Sequence, residues 1–276
     1  MNKLLLCTDL DRTLIPNGKQ PESPGVRELF SRFVDRDEVK LAYVSGRHRA
    51  LIEQAIDDYR LPLPDFVIAD VGSTIYRIDC GAWQPWSAWN EEIAGDWQGM
   101  STEALHCLLA DIMLLQLQEP EKQNIHKLSY YLPLGHDQKA IISDIEIRLK
   151  AKDVRANLIW SVDELRHTGL LDILPASANK LHAISFLMQH EGYDYKQTVF
   201  AGDSGNDLDV FLSPIQSVLV ANADDEVRAA VRNASPENLY VASGKFLNMN
   251  GCYSAGILEG IVHYRPELVP LIEGLL

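Results

Sequence analysis

The sequence predicts an α/β protein with a doubly wound, mostly parallel core sheet and an inserted α+β unit. Three observations carry this. Short apolar runs alternate with helical stretches over residues 3–70 and again beyond 170, the pattern of parallel strands covered on both faces. Between them the rhythm shifts to polar–aromatic alternation and longer amphipathic stretches. Two apolar runs far apart, at 3–9 and 197–204, each end in aspartates.

In order, residues 3–9 form a buried strand. "SPGVRELFSRFV" follows as a helix, with Ser23 as N-cap and Pro24 in the first turn. Strand 39–45, helix 47–59 and strand 65–70 continue the series. "GSTIYRIDCGAWQPW" reads as a hairpin. The insert then holds a long helix over 101–118, a strand at 127–132, a helix at 137–152 and a strand at 156–161. "LLDILP" (170–175) returns to the core, followed by a helix at 179–192 stopped by glycine. Strands at 197–204, 217–222 and 238–243 and helices at 224–232 and 254–264 complete the chain. The expected division is a core of residues 1–80 plus 170–276 and an insert of 81–169.

The 276 residues carry a net charge of -14, which argues against a nucleic-acid partner. Hydrophobic content of 46% and charged content of 23% indicate a chain that folds. Cys7, Cys80, Cys107 and Cys252 show no zinc spacing, and free thiols fit a reducing compartment. "MNKLLLC" is too short for a signal segment, and no run approaches a membrane span of roughly 20 apolar residues. The expected location is the cytoplasm, with no membrane partner.

Asp9 and Asp11 stand at the carboxyl end of a strand, where open parallel sheets bind ligands. "AGDSGND" brings Asp203 and Asp207 to another such end. Several carboxylates at neighbouring strand ends repel one another, and a hard divalent cation relieves this; magnesium (Mg2+) fits best where a phosphate completes its shell. In "VSGR", the Ser45 hydroxyl and the amides of Gly46 and Arg47 can hold phosphate oxygens at a helix start. Lys180 begins the helix after "DILP" and can neutralise both phosphate and carboxylates. Lys127 and Ser129 share one face of a strand in the insert and are candidates to touch the substrate beyond its phosphate. Trp83, Trp86 and Trp89, three apart, are better placed for packing than for stacking on a sugar.

At these residues the sequence resembles the haloacid dehalogenase superfamily of phosphohydrolases. "DLDRT" resembles its first motif, "VSGR" its second, Lys180 its third and "GDSGND" its fourth. The resemblance implies a Rossmann-like core and an α+β cap. "HKLSYYL", "LDILPASANK" and "SAGILEGI" are most similar to sucrose-phosphate phosphatases and their relatives. It further implies that Asp9 is the nucleophile, forming an aspartyl-phosphate, and that Asp11 is the general acid and base. Ser45 and Lys180 would hold the phosphoryl oxygens. Magnesium would be held by Asp9, the Asp11 carbonyl and Asp203, with Asp207 also in the acidic set or orienting Lys180. The implied substrate is sucrose 6-phosphate, with mannosylfructose phosphate or glucosylglycerol phosphate as alternatives and a hexose phosphomutase as a rival. A phosphate-binding regulatory module of a glycosyltransferase is the non-enzymatic rival. A sucrose-phosphate synthase-like glycosyltransferase is the partner the resemblance admits, and a monomer is expected. Two features fit the family pattern least: Arg12, where many members have glycine, and the long loop at 243–253.

Overall fold

The computed structural model describes residues 3–163 and 166–276. Among these residues, twelve strands form two sheets. The elements of the large sheet's first half are β1 (Leu4–Thr8), α1 (Val26–Val34), β2 (Val39–Val44), α2 (Arg49–Tyr59), β3 (Phe66–Ala69), β4 (Thr74–Asp79) and β5 (Ala82–Pro85). Next come α3 (Ser87–Ala94), α4 (Thr102–Leu109), β6 (Gln116–Leu117), β7 (Leu128–Pro133), α5 (Gln138–Lys150), β8 (Ala156–Asp163) and β9 (Thr168–Pro175). The chain ends with α6 (Lys180–Glu191), β10 (Thr198–Gly202), α7 (Leu208–Phe211), β11 (Gln216–Leu219), α8 (Asp225–Ala230), β12 (Leu239–Val241), α9 (Ser254–Tyr264) and α10 (Val269–Glu273).

The large sheet runs β12-β11-β10-β1-β2-β3-β4-β5. It is parallel from β12 to β3 and antiparallel at β4 and β5. Side chains alternate across a strand, and β1 shows it: Leu4 and Leu6 join one apolar cluster, Leu5 and Cys7 the other. Both faces are therefore covered. The chain order reverses beside β1, between β2 on one side and β10 on the other. This is the switch point at which a doubly wound sheet offers a crevice.

The small sheet, β6-β7-β9-β8, is antiparallel and has its own core around Trp97, Leu105, Tyr130, Ile145, Leu171 and Ile173. Here three expectations change. Leu170–Pro175 belongs to this sheet and not to the large one, pairing with β7 and β8. Its burial alternates from Thr168 to Ile173, which Asp172 in the middle of the apolar run already hinted at. Conversely, Ala82–Pro85 extends the large sheet, so the sheets do not change over at residues 81 and 169. The helix expected over 101–118 stops at Leu109, and Gln116 and Leu117 pair with Tyr131 and Tyr130. Ser101 does cap it, accepting from the Ala104 amide.

Ser23 does not cap α1. The N-cap is Gly25 in the left-handed region, and the Ser23 hydroxyl donates to Asn250 at 3.0 Å. The tryptophans pack: Trp89 is fully buried and donates to the Gly72 carbonyl, Trp86 meets Phe66 and Phe186, and Trp83 meets Tyr76. No helix among the described residues is long and apolar enough to cross a membrane.

Candidate active site

β1 is the central strand, and the chain turns sharply as it leaves. Asp9 follows immediately and is buried; its amide donates to Ala201 of β10. This bond fixes the first acid against the strand that leads to the second acidic turn. Asp203 and Asp207 lie in that turn, both buried. Asp9, Asp203 and Asp207 offer oxygens all within 4.8 Å of one another.

Lys180 is the cation among them. It heads α6, where Asn179 caps the helix by accepting from the His182 amide. Its ammonium lies 3.0 Å from Asp9 Oδ1 and 2.6 Å from Asp207 Oδ1. Burial works against its charge, yet Asp207 and Asp9 raise its pKa above the ordinary lysine value. Burial raises the Asp9 carboxyl, and the charges of Asp207 and Asp203 add to this against the pull of Lys180. Asp203 is pushed up to about 6, first by burial and further by Asp207, while Arg12 pulls the other way. Lys180 and Arg12 bring two positive charges to three buried carboxylates, so the cluster retains room for further positive charge.

Asp207 is fully engaged. Its Oδ1 accepts from Lys180, and its Oδ2 accepts from the amides of Asp203 and Ser204 and from the Ser204 hydroxyl. Gly202 leaves room for this: a Cβ there would collide with the Asp207 carboxylate.

Asp11 points elsewhere. Its carboxylate is forked by Arg47, at 2.8 Å from Nε and 2.6 Å from Nη2, and takes a third bond from Asn17 Nδ2 at 2.7 Å. Burial pushes Asp11 up, but the Arg47 hydrogen bond and charge outweigh it and hold the carboxyl below its ordinary value. Ser45 is buried beside this pair and its Oγ accepts from the Arg47 amide at 3.2 Å. Gly46 lies exposed between them. α2 begins only at Arg49, so Ser45–His48 is a loop before the helix rather than its first turn.

Lys127 and Ser129 lie in the small sheet's side of the molecule and are buried. Lys127 Nζ is 3.0 Å from Asp70 Oδ1 and 3.8 Å from Asp172 Oδ2, and Ser129 donates to Asp172 at 2.6 Å. Asn124 reaches the same loop, donating to Asp70, Ser73 and Thr74. Lys127 therefore meets a carboxylate at the junction of the two sheets, and Ser129 meets one within the small sheet, rather than the Asp9 cluster. A cleft of about 280 Å³ opens beside Lys180, between Asn157 and Ile159 of β8 and Asn179 and Asn206; the three aspartates do not line it. Sequence reasoning missed Asn17, Asp70, Asn124 and Asn157. Only Asn206, inside "GDSGND", carried a local signal.

Arg12 takes a positive φ of 60°, which explains why glycine suits this position. Its Nε lies 3.2 Å from Asp203 Oδ2 and its Nη2 3.0 Å from Asp224 Oδ2. The 243–253 loop is held by Glu259, which accepts from the Ser243, Gly244 and Lys245 amides and the Tyr240 hydroxyl. It leads to Tyr253, whose amide donates to Asn222 Oδ1, and Asn222 Nδ2 in turn donates to the Arg12 carbonyl. The loop thus buttresses the turn that carries the first motif.

A sheet switch point with acidic turns on its two central strands, beneath an inserted sheet, is the build of the haloacid dehalogenase superfamily of hydrolases. The crystal structure of the sucrose-phosphatase from Synechocystis, in complex with sucrose and phosphate, superposes with a TM-score of 0.72 at 26% identity, covering 96% of this chain and 99% of that one. The chain belongs to the Sucrose-6F-phosphate phosphohydrolase family, whose model matches residues 2–265. A HAD-like hydrolase of Nitrosococcus oceani is 56% identical over 269 residues, 96% of this chain and 72% of that protein. The mannosylfructose-phosphate phosphatase of Agrobacterium fabrum is 28% identical over 265 residues, 94% and 96% of the two chains. The protein is a phosphoric monoester hydrolase of the sugar-phosphate type.

Proposed function

We propose that this chain hydrolyses sucrose 6-phosphate to sucrose and phosphate through an aspartyl-phosphate on Asp9. The observation that carries this reading is the buried Asp9 held by Lys180 beside Asp203, at the ends of adjacent strands β1 and β10. Lys180 holds Oδ1, so attack on phosphorus falls to Oδ2 of Asp9. As that bond forms, the ester P–O bond breaks and Asp11 gives its proton to the departing sugar oxygen. Asp11 then takes a proton from water, whose oxygen attacks phosphorus and releases Asp9 and inorganic phosphate.

Asp11 must shed its ties before it can carry a proton. Phosphoryl oxygens seated against Ser45, Gly46 and Arg47 would compete for the Arg47 guanidinium and loosen its fork on Asp11. The crowded acids fit a divalent cation: Asp9, Asp203 and the main-chain carbonyl of Asp11 would hold Mg2+, which when bound supplies positive charge to the phosphoryl oxygens. Asp207, with both oxygens engaged, positions Lys180. The small sheet and its helices act as the cap that closes over the sugar. Lys127 and Ser129 read the sugar if closure frees them from Asp70 and Asp172. Four free cysteines, two of them buried, suit a reducing cytoplasm. A sucrose-phosphate synthase-like glycosyltransferase is the kind of enzyme that would supply the substrate.

The second reading keeps the chemistry and changes the sugar, and the Agrobacterium relative favours mannosylfructose phosphate for it. A phosphate-release screen over phosphorylated mono- and disaccharides with Mg2+ decides. Sucrose 6-phosphate is expected to lead, and Asp9→Asn to reduce release to background. A better rate on another sugar phosphate would reassign the substrate. Isomerised sugar without free phosphate would indicate a mutase.

A further inference from the structure

Arg12 is the one cation outside the Lys180 pair that the described residues place against the acidic cluster. Its guanidinium forks between two unlike acids. Asp203 is buried, 3% exposed, whereas Asp224 is an open surface group, 66% exposed. The fork is tightly mounted. The Arg12 amide donates to Asn17 at 2.8 Å, its carbonyl accepts from Asn222 Nδ2 at 2.5 Å, and its Nη2 reaches the Asn222 carbonyl at 3.4 Å. Thr13 donates to the other oxygen of Asp203 at 3.2 Å. Both oxygens of Asp203 are thereby covered.

We propose that Arg12 is a tethered competitor for Asp203, displaced toward Asp224 when a divalent cation binds, and that it sets the metal affinity of the site. This rests on the metal reading above. A guanidinium and a divalent cation cannot share one carboxylate without mutual repulsion. Binding therefore requires Arg12 to give up Asp203, and Asp224 is the second anchor that makes the withdrawal less costly. Where the backbone would accept glycine, this chain has instead a residue that neutralises the cluster before the metal arrives.

The test measures Mn2+ binding to the full chain without substrate, from the loss of the free-ion electron paramagnetic resonance signal. Arg12→Gly suits the positive φ and preserves the turn. It is expected to tighten binding by about 2- to 5-fold, the scale of one part-exposed ion pair. Asp224→Asn is expected to weaken binding by about 2- to 5-fold on the same scale. The double variant is expected to match Arg12→Gly, because Asp224 acts only through Arg12. Unchanged or weaker binding in Arg12→Gly, or an Asp224→Asn effect that persists without Arg12, overturns the proposal. Asp203→Asn separates the two levels. If it abolishes binding while Arg12→Gly changes nothing, only the competition fails. If no variant binds Mn2+, the metal reading fails and the competition with it. A merely structural Arg12 would shift melting temperature and leave the affinity order untouched.

Discussion

Two carboxylates two residues apart, Asp9 and Asp11, are held in opposite ways. Lys180 faces Asp9 inside a buried acidic cluster, while Arg47 and Asn17 clasp Asp11 at a half-buried edge. The first arrangement raises a carboxyl and the second lowers one. Asn17 contributes one hydrogen bond to the ionised form of Asp11, so Asn17→Ala should raise the Asp11 carboxyl. A general acid with a higher pKa stays protonated to higher pH. With Asp11 in the proposed role of general acid, the alkaline fall of kcat/KM should then move upward by about half to one pH unit, the equivalent of one hydrogen bond. A profile that stays in place, or moves down, would remove Asn17 from the control of Asp11. The sequence displayed these acids clearly because strand ends and glycine-flanked turns are local features. It could not display their partners: Asn17 precedes no recognisable motif, and Asp70 and Asn124 meet only through the fold, across 54 residues.

At the level of elements, α9 lies unusually close to the large sheet. Its Gly260 faces Val218 of β11, and a Cβ there would overlap the valine methyls; at Gly256 it would overlap the Gly251 carbonyl oxygen. Glycine is required by this approach and not by backbone angle, since neither residue has a positive φ. Gly256→Ala should therefore destabilise the protein by about 1–3 kcal/mol, the usual cost of overpacking, despite the better helix propensity of alanine. Denaturant unfolding checks it, and a stabilised Gly256→Ala would show that the helix can move away freely. Apolar period and flanking glycine placed α9 and α6 well. β9 was misplaced because a run such as "LLDILP" has the composition of a buried parallel strand. Only its alternation, with Asp172 facing Lys127 and Ser129, distinguishes a half-covered antiparallel strand. The long helix expected past Leu109 failed because a two-stranded pairing, Gln116–Leu117 with Tyr130–Tyr131, overrides helix preference in tertiary context.

Across the whole molecule, the two sheets are joined by buried polar ties. Lys127 and Asp70, 6% and 4% exposed, pair across the junction, and Asn124 adds three donations to the same loop. Removing Lys127 leaves the Asp70 carboxylate buried without its cation, whereas Lys127 retains Asp172 at 3.8 Å when Asp70 is lost. Lys127→Ala should cost about 3–5 kcal/mol, and Asp70→Asn in the Lys127→Ala background should recover part of it. Calorimetric melting of the two single variants and the double reads the coupling. Purely additive losses would mean that the pair does not hold the junction. The two-layer plan was legible in the chain's changing rhythm. The junction was not, since it depends on side chains that meet only after both sheets have formed.

The path from β9 into α6 has a mechanical side. β9 ends at Pro175 and Lys180 opens α6, so four residues connect the small sheet to the lysine that grips Asp9. The backbone of Asn179, the last residue of this link, lies so close to Gly72 that a methyl group would not fit between them. A swing of the small sheet would load that link as well as the stretch from β5 to β6, and Gly72 is what lets the link lie so close to the large sheet. Lys180 lies at the far end of these four residues, so a displacement of the small sheet would reach, within one short segment, the ammonium that meets Asp9.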